Sequence, residues 1–283
     1  MTDLTGRTIL VTGATSGIGL AASERLAGMG AELVLVGRDP ARLEAAVAAV
    51  RARSRGRAVS ALRHDLSSLA EVRALAAEVR ERWPRLHVLV NDAGGANGAR
   101  EVTADGLERT FAVNHLAPYL LTRLLLDRLI DSRPARVVTV SSVAHRRARL
   151  DLSDLQLERG YSVMRAYGAS KLANVLFTRE LARRLAGSGV TASCLHPGVV
   201  ATRIWSRAPR WTQPFFALAT LFMLTPEQGA ETVVFLAASP EAERLSGAYL
   251  EKCGVVEPAP QARDDEAAQR LWEESARLVG LEG

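Results

Sequence analysis

Short aliphatic runs alternate with longer stretches rich in Ala, Leu and Arg along most of the chain, and this alternation is the strongest constraint on the fold. The short runs predict strands, and the longer stretches have the apolar spacing of helices. Strands separated by helices form βαβ units, whose parallel sheet is covered by helices on both faces. With right-handed crossovers, the chain is predicted to be an α/β protein with a doubly wound, Rossmann-type parallel sheet. The predicted strands are 8–11, 32–36, 59–62, 88–90, 136–140 and 190–195, and the predicted helices are 17–29, 40–53, 68–82, 104–130, 161–186 and 264–279.

Domain organisation follows from the same alternation. A length of 283 residues allows one large domain or two small ones. No Pro-, Gly- or Ser-rich linker interrupts the pattern, so residues 1–283 are predicted to form a single domain. Three segments depart from the alternation: a loop after Ser142, a segment at 203–225, and a C-terminal tail at 255–283 that contains the last helix. Long loops and insertions in a compact domain often have a function.

The charge balance of 36 basic and 31 acidic residues gives +5, which raises the question of nucleic-acid binding. All but two of the basic residues are arginines, which indicates a bias of the coding sequence rather than a binding surface. The densest basic runs, 51–57 and 145–149, contain no aromatic residues on which bases would stack. We therefore predict no nucleic-acid partner.

Cysteine content and hydropathy indicate the cellular compartment in which the protein is expected. Cys194 and Cys253 are the two cysteines, too few for a disulfide framework or a metal-ligand cluster, so no metal is predicted. The chain lacks a signal-peptide pattern at residue 1 and an apolar run of the ~20 residues needed to span a bilayer. These features predict a cytoplasmic protein without a transmembrane segment.

Three glycines, Gly13, Gly17 and Gly19, directly follow the first predicted strand and open the first predicted helix. Glycines at this point let a pyrophosphate approach the backbone, and the helix N-terminus supplies free N–H groups. An ordinary tight turn is the alternative. The position between strand and helix favours a dinucleotide site, with the spacing Gly-x-x-x-Gly-x-Gly.

The end of the second predicted strand bears on the choice between NAD and NADP. An acidic residue there binds the ribose 2′-hydroxyl of NAD, whereas an arginine accommodates the 2′-phosphate of NADP. Gly37 occupies the acidic position and Arg38 follows it, although a solvated arginine is also expected in an Arg-rich chain. Asp39 is predicted to cap the helix that starts at Pro40. NADP is therefore predicted, with NAD as the less favoured cofactor.

Tyr167 and Lys171 are four residues apart near the start of a predicted helix, so their side chains share one face. A tyrosine with an ordinary pKa near ~10 is a poor base at neutral pH. A nearby ammonium group favours the phenolate and lowers its pKa, so the pair can exchange a proton with a substrate oxygen. Such pairs also arise by chance, but beyond a dinucleotide-binding turn this pair predicts acid–base catalysis.

Two further polar features accompany the pair. Ser141 and Ser142 end a predicted strand at the carboxyl edge of the sheet, where a hydroxyl can hydrogen-bond a substrate carbonyl. An ordinary strand end is the alternative for them. Asn114 lies in the apolar run 111–126, as a satisfied core amide or as the anchor of a water in a proton chain.

These motifs together resemble the short-chain dehydrogenase/reductase family across nearly the whole chain. The matching segments are 12–19, 65–66, 91–94, 114, 141–142, 167–171 and 197–202. The segments 142–145, 170–174, 196–198 and 261–263 are similar to the retinol-dehydrogenase-like branch of the family.

The resemblance implies Tyr167 as the general acid/base, with Lys171 lowering its pKa and holding the nicotinamide ribose. It also implies Ser142 as the residue that orients the carbonyl, Asn114 as a relay residue and Asp65 as a contact of the adenine. A homodimer or homotetramer is typical of the family. The implied cofactor-binding residues are Gly13, Thr15, Ser16, Gly17, Ile18, Gly19, Arg38, Asp65, Leu66, Asn91, Ala93, Gly94, Tyr167, Lys171, Pro197, Gly198, Val200 and Thr202.

The chain departs from the family's pattern at two positions. The family usually shows Asn-Asn-Ala-Gly where this chain has Asp92 as the second residue. A carboxylate replaces the acceptor bonds of an amide but not its NH₂ donors, so this turn is expected to differ in detail. NADP-preferring relatives often carry a basic residue before the second glycine, where this chain has Ser16.

Aromatic residues concentrate in one short segment that follows the implied nicotinamide-binding turn. Five of the 14 aromatics fall within residues 205–222. The resemblance places a substrate lid here, and an apolar lid implies a lipophilic substrate. Packing against the protein itself or a partner subunit and peripheral membrane contact are the alternatives. The five residues are Trp205, Trp211, Phe215, Phe216 and Phe222.

The leading functional hypothesis is an NADP(H)-dependent oxidoreductase that interconverts a lipophilic alcohol and its aldehyde or ketone. A second hypothesis is a biosynthetic tailoring enzyme that acts on a polyketide-like ketone or performs non-redox chemistry. A third, of another class, is a non-catalytic dinucleotide-sensing protein. The presence of Asn114, Ser142, Tyr167 and Lys171 favours an enzyme over a sensor.

Overall fold

The computed structural model describes residues 2–198, 200 and 223–281. Within these residues one sheet runs through the protein in the strand order 3-2-1-4-5-6-7-8. The first seven strands pair in parallel and the last is antiparallel. The strands are β1 Thr8–Thr12, β2 Glu32–Gly37, β3 Val59–Arg63, β4 Val88–Asn91, β5 Ala135–Val140, β6 Val190–His196, β7 Tyr249–Glu251 and β8 Gly254–Val255.

Helices cover both faces of this sheet. Successive residues of a strand point to opposite faces, so Ile9 and Val11 of β1 pack into one hydrophobic cluster and Leu10 into the other. The first cluster includes residues of α1, α2 and α8, and the second those of α3, α5, α7 and α9. Within the described residues the α-helices are α1 Gly17–Gly28, α2 Pro40–Arg53, α3 Leu69–Arg82, α4 Arg109–Phe111, α5 Ala117–Leu124, α6 Leu126–Asp131, α7 Val163–Arg184, α8 Pro226–Ala238 and α9 Asp265–Leu278.

The predicted doubly wound parallel sheet and the helical C-terminal tail are confirmed. Each of the six predicted strands differs from the observed strand by one residue at one end. The predicted cap of α2 is also present, since the Asp39 side chain accepts a hydrogen bond from the Arg42 backbone nitrogen at 2.9 Å. None of the helices in residues 2–198 and 223–281 is long and apolar enough to cross a membrane.

The prediction of one helix over 104–130 is wrong. The segment is divided into α4, a π-helical turn at Ala112–Leu116, α5 and α6. Pro118 has no N–H, so the Asn114 carbonyl cannot accept the hydrogen bond from four residues ahead. A wider π turn lies just before this proline, with Asn114 at its centre.

Three elements near the C-terminus were not predicted. Helix α8 begins with a capping box, in which the Thr225 and Gln228 side chains each bond the other residue's backbone, and Pro226 is its first residue. The short strands β7 and β8 form a pair of three and two residues. Strands this short carry too few side chains for a period of two to be recognised.

Candidate active site

The carboxyl ends of the parallel strands gather the predicted motifs at one edge of the sheet. The strand order reverses direction between β1 and β4. In open α/β sheets, the crevice at such a switch point binds the ligand. Gly13 follows β1, Asp92 follows β4 and Ser141 follows β5, so these segments meet at this crevice.

The turn between β1 and α1 packs closely against backbone at the positions of Gly13 and Gly19. Gly13 has a φ of +71°, and a Cβ atom there would lie 2.8 Å from the Ala93 backbone nitrogen. A Cβ atom on Gly19 would lie 2.7 Å from the Gly13 carbonyl oxygen. Both positions therefore require glycine, and the turn forms a cradle of bare backbone.

The N-terminus of α1, unlike those of several other helices, has no side-chain cap. Ser16 at the N-cap position makes no capping hydrogen bond. By contrast, Asp39 caps α2, Ser68 caps α3 and Ser162 caps α7. Free N–H groups at the positive end of a helix dipole suit a phosphate. The cradle and this helix end fit the pyrophosphate of a nicotinamide dinucleotide.

The end of β2 carries the residues that bear on cofactor choice. A Cβ atom on Gly37 would collide with the Thr15 methyl group, so an acidic side chain does not fit there unless Thr15 moves. Arg38 is exposed, and its carbonyl oxygen accepts a hydrogen bond from Arg63 Nε at 3.4 Å. Arg63 was not singled out from the sequence, because its place beside Arg38 follows from the pairing of β2 with β3.

Asp65 lies just beyond β3 and is ionised at neutral pH. Its Oδ1 atom accepts a hydrogen bond from the Ser67 backbone nitrogen at 3.0 Å. Burial acts to raise the pKa of Asp65, but the Ser67 hydrogen bonds and the charges of Arg38 and Arg109 hold it below its ordinary value. Asp65 and Arg38 thus lie near each other, just beyond the ends of the neighbouring strands β3 and β2, and Leu66 next to Asp65 is buried.

The segment after β4 forms the opposite side of the cradle. The Ala93 backbone N–H donates to Thr12 Oγ1 at 3.2 Å, which ties this segment to the end of β1. A Cβ atom on Gly94 would lie 3.1 Å from Asn114 Oδ1 and 3.4 Å from Lys171 Nζ. Because Gly94 has no side chain, the space between its backbone and the side chains of Asn114 and Lys171 stays open.

Asp92, the departure from the family's pattern, lies at the centre of this arrangement. Its Oδ2 atom would be 2.6 Å from a Cβ on Gly19, and the Gly19 backbone N–H bonds its carboxylate. Burial raises the pKa of Asp92 to about 7, although the positive charge of Lys171 and the Gly19 bond act to lower it. The neighbouring Asn91 is buried and donates to Thr122 Oγ1 at 3.1 Å.

Tyr167, Ser142 and Lys171 come together where β5 ends and α7 begins. The Ser142 hydroxyl hydrogen-bonds the Tyr167 phenol. Lys171 Nζ lies 5.7 Å from the centroid of the Tyr167 ring and donates to the Val140 carbonyl oxygen at 2.9 Å. Tyr167 is 7% exposed and Lys171 is 4% exposed, so both ionisable groups are held away from bulk water.

The ionisation of Tyr167 differs from the expectation drawn from the sequence. Burial raises the pKa of Tyr167 above its ordinary value, the Ser142 hydrogen bond acts to lower it, and the Asp92 charge raises it further. Burial also lowers the pKa of Lys171, against the opposite influence of Asp92. A net lowering of the Tyr167 pKa by Lys171 is not found, because desolvation of the phenolate is the dominant effect.

Asn114 is a fully bonded amide within the π turn. Its Oδ1 atom accepts from the Gly95 backbone nitrogen at 2.9 Å, and its Nδ2 atom donates to the Gly95 carbonyl oxygen and to Ser170 Oγ, each at 2.9 Å. Ser170 Oγ in turn donates to the Tyr167 carbonyl oxygen at 2.8 Å. Asn114 therefore joins the segment after β4 to the helix that carries Tyr167.

A second set of contacts, missed from the sequence, holds the turn that follows Ser142. His145 is fully buried, and its ring nitrogens contact the Ser142 carbonyl oxygen at 2.7 Å and the Ala259 N–H at 3.2 Å. Because Nε2 accepts from Ala259, the proton sits on Nδ1 and is donated to Ser142. Gln261 Nε2 donates to the carbonyl oxygens of residues 145, 146 and 148 at 3.2, 3.1 and 3.0 Å. Both residues lie in motifs noted above, but their pairing across more than 100 residues leaves no trace in local sequence.

A cavity of about 1640 Å³ opens beside this group. Ser142 and Tyr167 line it together with Ile18 and apolar residues of α7. Among the predicted nicotinamide-binding residues, Pro197, Gly198 and Val200 also line it. The predicted residues Thr202, Trp205, Trp211, Phe215, Phe216 and Phe222 lie outside the described part of the chain.

Comparison with known proteins agrees with the dinucleotide-binding fold described above. The family model of short chain dehydrogenases matches residues 7–213. Human retinol dehydrogenase 13 is 43% identical over 98% of this chain and 86% of its own length. A crystal structure of an uncharacterised protein from Mycobacterium paratuberculosis has a TM-score of 0.80 and 33% identity, over 100% of this chain and 96% of that one.

A blue fluorescent protein from a metagenomic library, solved in complex with NADPH, has a TM-score of 0.70 and 30% identity over 88% of this chain and 96% of that chain. The match of the family model covers well over half of the chain, and the human relative is similar along almost all of it. The protein belongs to the short-chain dehydrogenase/reductase family of oxidoreductases and is similar to its retinol dehydrogenases.

Proposed function

We propose that the protein is an NADP(H)-dependent oxidoreductase that interconverts a lipophilic alcohol and its aldehyde or ketone. The observation that carries the proposal is the meeting of Tyr167 and Ser142 at the wall of one cavity, beside the glycine cradle. A proton donor, a carbonyl-binding hydroxyl and a dinucleotide cradle are the parts that reversible carbonyl reduction needs.

Ser142 orients the substrate in this proposal. Its Oγ atom accepts a hydrogen bond from the Ala144 backbone nitrogen at 3.2 Å, so its own hydrogen is donated towards Tyr167 or towards a substrate oxygen placed beside Tyr167. A substrate carbonyl oxygen placed between Ser142 and Tyr167 receives hydrogen bonds from both hydroxyls. These bonds strengthen as negative charge develops on that oxygen, and they thereby stabilise the transition state.

Tyr167 transfers the proton. Because its pKa is raised, Tyr167 carries its proton at neutral pH and is ready to donate it to the carbonyl oxygen during reduction. In the oxidative direction the phenolate accepts the proton of the alcohol, which is favoured at higher pH. A bound nicotinamide supplies or accepts the hydride. Lys171 and Asn114 lie next to each other beside Gly94, where they would hold the nicotinamide ribose and pass the proton onward.

The preference for NADP rests on Arg38 and its neighbour Arg63. Two neighbouring arginines, Arg38 just after β2 and Arg63 at the end of β3, favour a 2′-phosphate, since guanidinium groups form charge-assisted, bidentate bonds to phosphate. The NADPH complex of the metagenomic relative supports the same choice. The lack of space for an acidic side chain at Gly37 disfavours the usual contact of NAD.

A lipophilic substrate is supported by the similarity to human retinol dehydrogenase 13 and by the apolar residues of α7 in the cavity wall. The predicted aromatic lid, the single domain, the cytoplasmic location and the homodimer or homotetramer remain predictions. Turnover of polyketide-like ketones without net redox change would favour the tailoring alternative. Dinucleotide binding without any turnover would favour a sensor.

The proposal is tested by following the absorbance of NADPH and NADH with lipophilic aldehydes, ketones and retinoids. Tyr167→Phe should abolish turnover while the dissociation constant for NADPH changes little, because the ring is kept and only the proton donor is lost. Unchanged turnover in this variant would refute the acid–base role.

The cofactor assignment has a test of its own. Arg38→Asp should raise KM for NADPH by at least about tenfold and leave KM for NADH within about twofold, since losing a charged hydrogen bond costs ~1.5–3 kcal/mol. Arg25→Asp is the control, because Arg25 is an exposed residue in the last turn of α1. An equal effect of Arg38→Asp on both cofactors would contradict its assignment to the 2′-phosphate.

A further inference from the structure

Among the residues that the structure describes, five arginines line the cavity that holds Ser142 and Tyr167. They come from three separate segments: the stretch after β5, the first turn of α7, and α9. The described lining also contains two carboxylates, Asp151 and Asp264, so positive charge predominates among these residues. We refer to Arg146, Arg147, Arg149, Arg165 and Arg270 as the arginine rim.

The two carboxylates offset only part of the arginine rim, because two negative charges stand against five positive ones, and both carboxylates also accept local hydrogen bonds. Asp151 accepts from the backbone and the hydroxyl of Ser153, at 3.0 and 2.7 Å. Asp264 caps α9 and accepts from the Ala267 backbone nitrogen at 2.9 Å. Among the described residues that line the cavity, a net excess of three positive charges remains.

Members of the rim differ in how far they are already bonded. Arg165 donates to the carbonyl oxygens of residues 159 and 160 at 2.8 and 3.0 Å, and Arg270 lies 3.7 Å from Glu266. Arg147 and Arg149 are exposed, and within the described residues neither has a hydrogen-bond or ion-pair partner. Two guanidinium groups at the cavity are thus available for a ligand.

The walls between the rim and the reacting hydroxyls are apolar. Leu150 and Leu152 come from the segment after β5, and Leu172 and Leu176 from α7. The cavity therefore combines hydroxyls that bind a carbonyl, aliphatic walls and unpaired positive charge. A purely neutral lipid would use the first two features and leave the guanidinium groups without a function.

We propose that the substrate of this cavity is an anionic amphiphile: an aliphatic chain that carries the reacting alcohol or carbonyl at one end and a carboxylate or phosphate at the other, bound by Arg147 and Arg149. This inference rests on the proposed oxidoreductase function and specifies its substrate class. Guanidinium groups bind both anions with paired hydrogen bonds, and their field attracts an anionic substrate to the cavity.

The test compares a long-chain fatty acid bearing a terminal aldehyde with its methyl ester, both reduced by the full chain with NADPH at low ionic strength. The acid should have a kcat/KM at least about tenfold higher than the ester, which corresponds to ~1.4 kcal/mol of transition-state stabilisation. In the double variant Arg147→Gln/Arg149→Gln the preference should disappear, because only the acid loses affinity. Added salt should likewise reduce turnover of the acid alone.

The double variant Arg55→Gln/Arg57→Gln is the matched control. Both residues are exposed and lie between α2 and β3, at the amino end of the strands and away from the cavity. The control removes the same net charge, so it should keep the preference for the acid. Loss of the preference in this control would overturn the inference, because the effect would then come from overall charge.

A binding measurement separates the inference from the proposed function. A fluorescent fatty acid and its methyl ester are titrated into the wild-type protein and the Arg147/Arg149 variant. If neither aldehyde is reduced, the oxidoreductase proposal fails, and a tenfold loss of affinity for the acid alone in the variant still supports the anionic site. Equal affinity for acid and ester overturns the inference. The inference is also overturned if the two arginines are needed only for binding of the protein to phosphatidylglycerol vesicles in a sedimentation assay. That result would assign the rim to a membrane surface.

Discussion

Two glycines of the same helix provide the sharpest test of the cofactor cradle. Gly19 and Gly28 both lie in α1, but their surroundings differ. A Cβ atom on Gly19 would lie 2.6 Å from Asp92 Oδ2 and 2.7 Å from the Gly13 carbonyl oxygen. A Cβ atom on Gly28 would have the Arg53 carbonyl oxygen as its nearest neighbour, at 3.7 Å, which is an ordinary contact.

The expected effects of replacing each glycine by alanine have opposite signs. In Gly28→Ala the new methyl group fits, and a helical Gly→Ala change stabilises by ~0.5–1 kcal/mol. In Gly19→Ala a backbone oxygen must move by several tenths of an ångström, and such overpacking costs ~1–3 kcal/mol. Because the displaced oxygen belongs to the glycine cradle, Gly19→Ala should also weaken the binding of NADPH by at least about tenfold.

Thermal unfolding with and without NADPH measures both effects. In a domain of this size ~1 kcal/mol shifts Tm by roughly 2 °C, so Gly28→Ala should raise Tm slightly and Gly19→Ala should lower it. Saturating NADPH should raise the Tm of wild type and Gly28→Ala alike, and that of Gly19→Ala much less. If Gly19→Ala binds NADPH as tightly as Gly28→Ala does, the turn is not the cofactor cradle.

Three further variants test other parts of the site and the fold. Asp92→Asn removes a charge that raises the pKa of Tyr167, so the pH at which alcohol oxidation becomes half-maximal should fall by up to about one unit; an unchanged pH profile would contradict this. Gln261→Leu removes the side-chain hydrogen bonds to three carbonyl groups behind Ser142 and should lower kcat by about tenfold at unchanged affinity for NADPH; an unchanged kcat would show that the turn keeps its conformation without Gln261. Glu180 is buried, and hydrogen bonds and charges of its two arginine partners lower its pKa, so its stabilisation is present above pH ~4.5 and is lost as the pH falls below that value. Glu180→Gln should therefore destabilise by ~1–2 kcal/mol at pH 7 in urea unfolding, and an equal loss at pH 3 would refute the assignment.

The central strands of the sheet are predictable because each is a continuous aliphatic run bounded by polar or turn residues. Strand β1, for example, ends at Thr12 directly before the positive φ of Gly13. Helix α2 is predictable to the residue because Asp39 and Pro40 mark its start. Where a local signal sets the boundary, the sequence is sufficient.

Tertiary contacts explain the features that could not be predicted from the sequence. The π turn around Asn114 depends on a missing hydrogen bond at Pro118 and on contacts with Gly95 and Ser170, which are far apart in the chain. The ionisation of Tyr167 depends on burial, which a spacing of four residues to Lys171 does not reveal. Sequence pattern thus identified which residues meet, and the packing determined how they interact.

The scarcity of lysine makes this site unusually accessible to spectroscopy. Of the two lysines, Lys171 is 4% exposed inside the site, whereas Lys252 is exposed beyond β7. Labelling of lysine side chains with ¹⁵N therefore gives two ammonium resonances, one from each environment. The Lys252 signal is an internal reference, and the titration of the Lys171 ammonium group can be followed directly in the intact protein without introducing a probe.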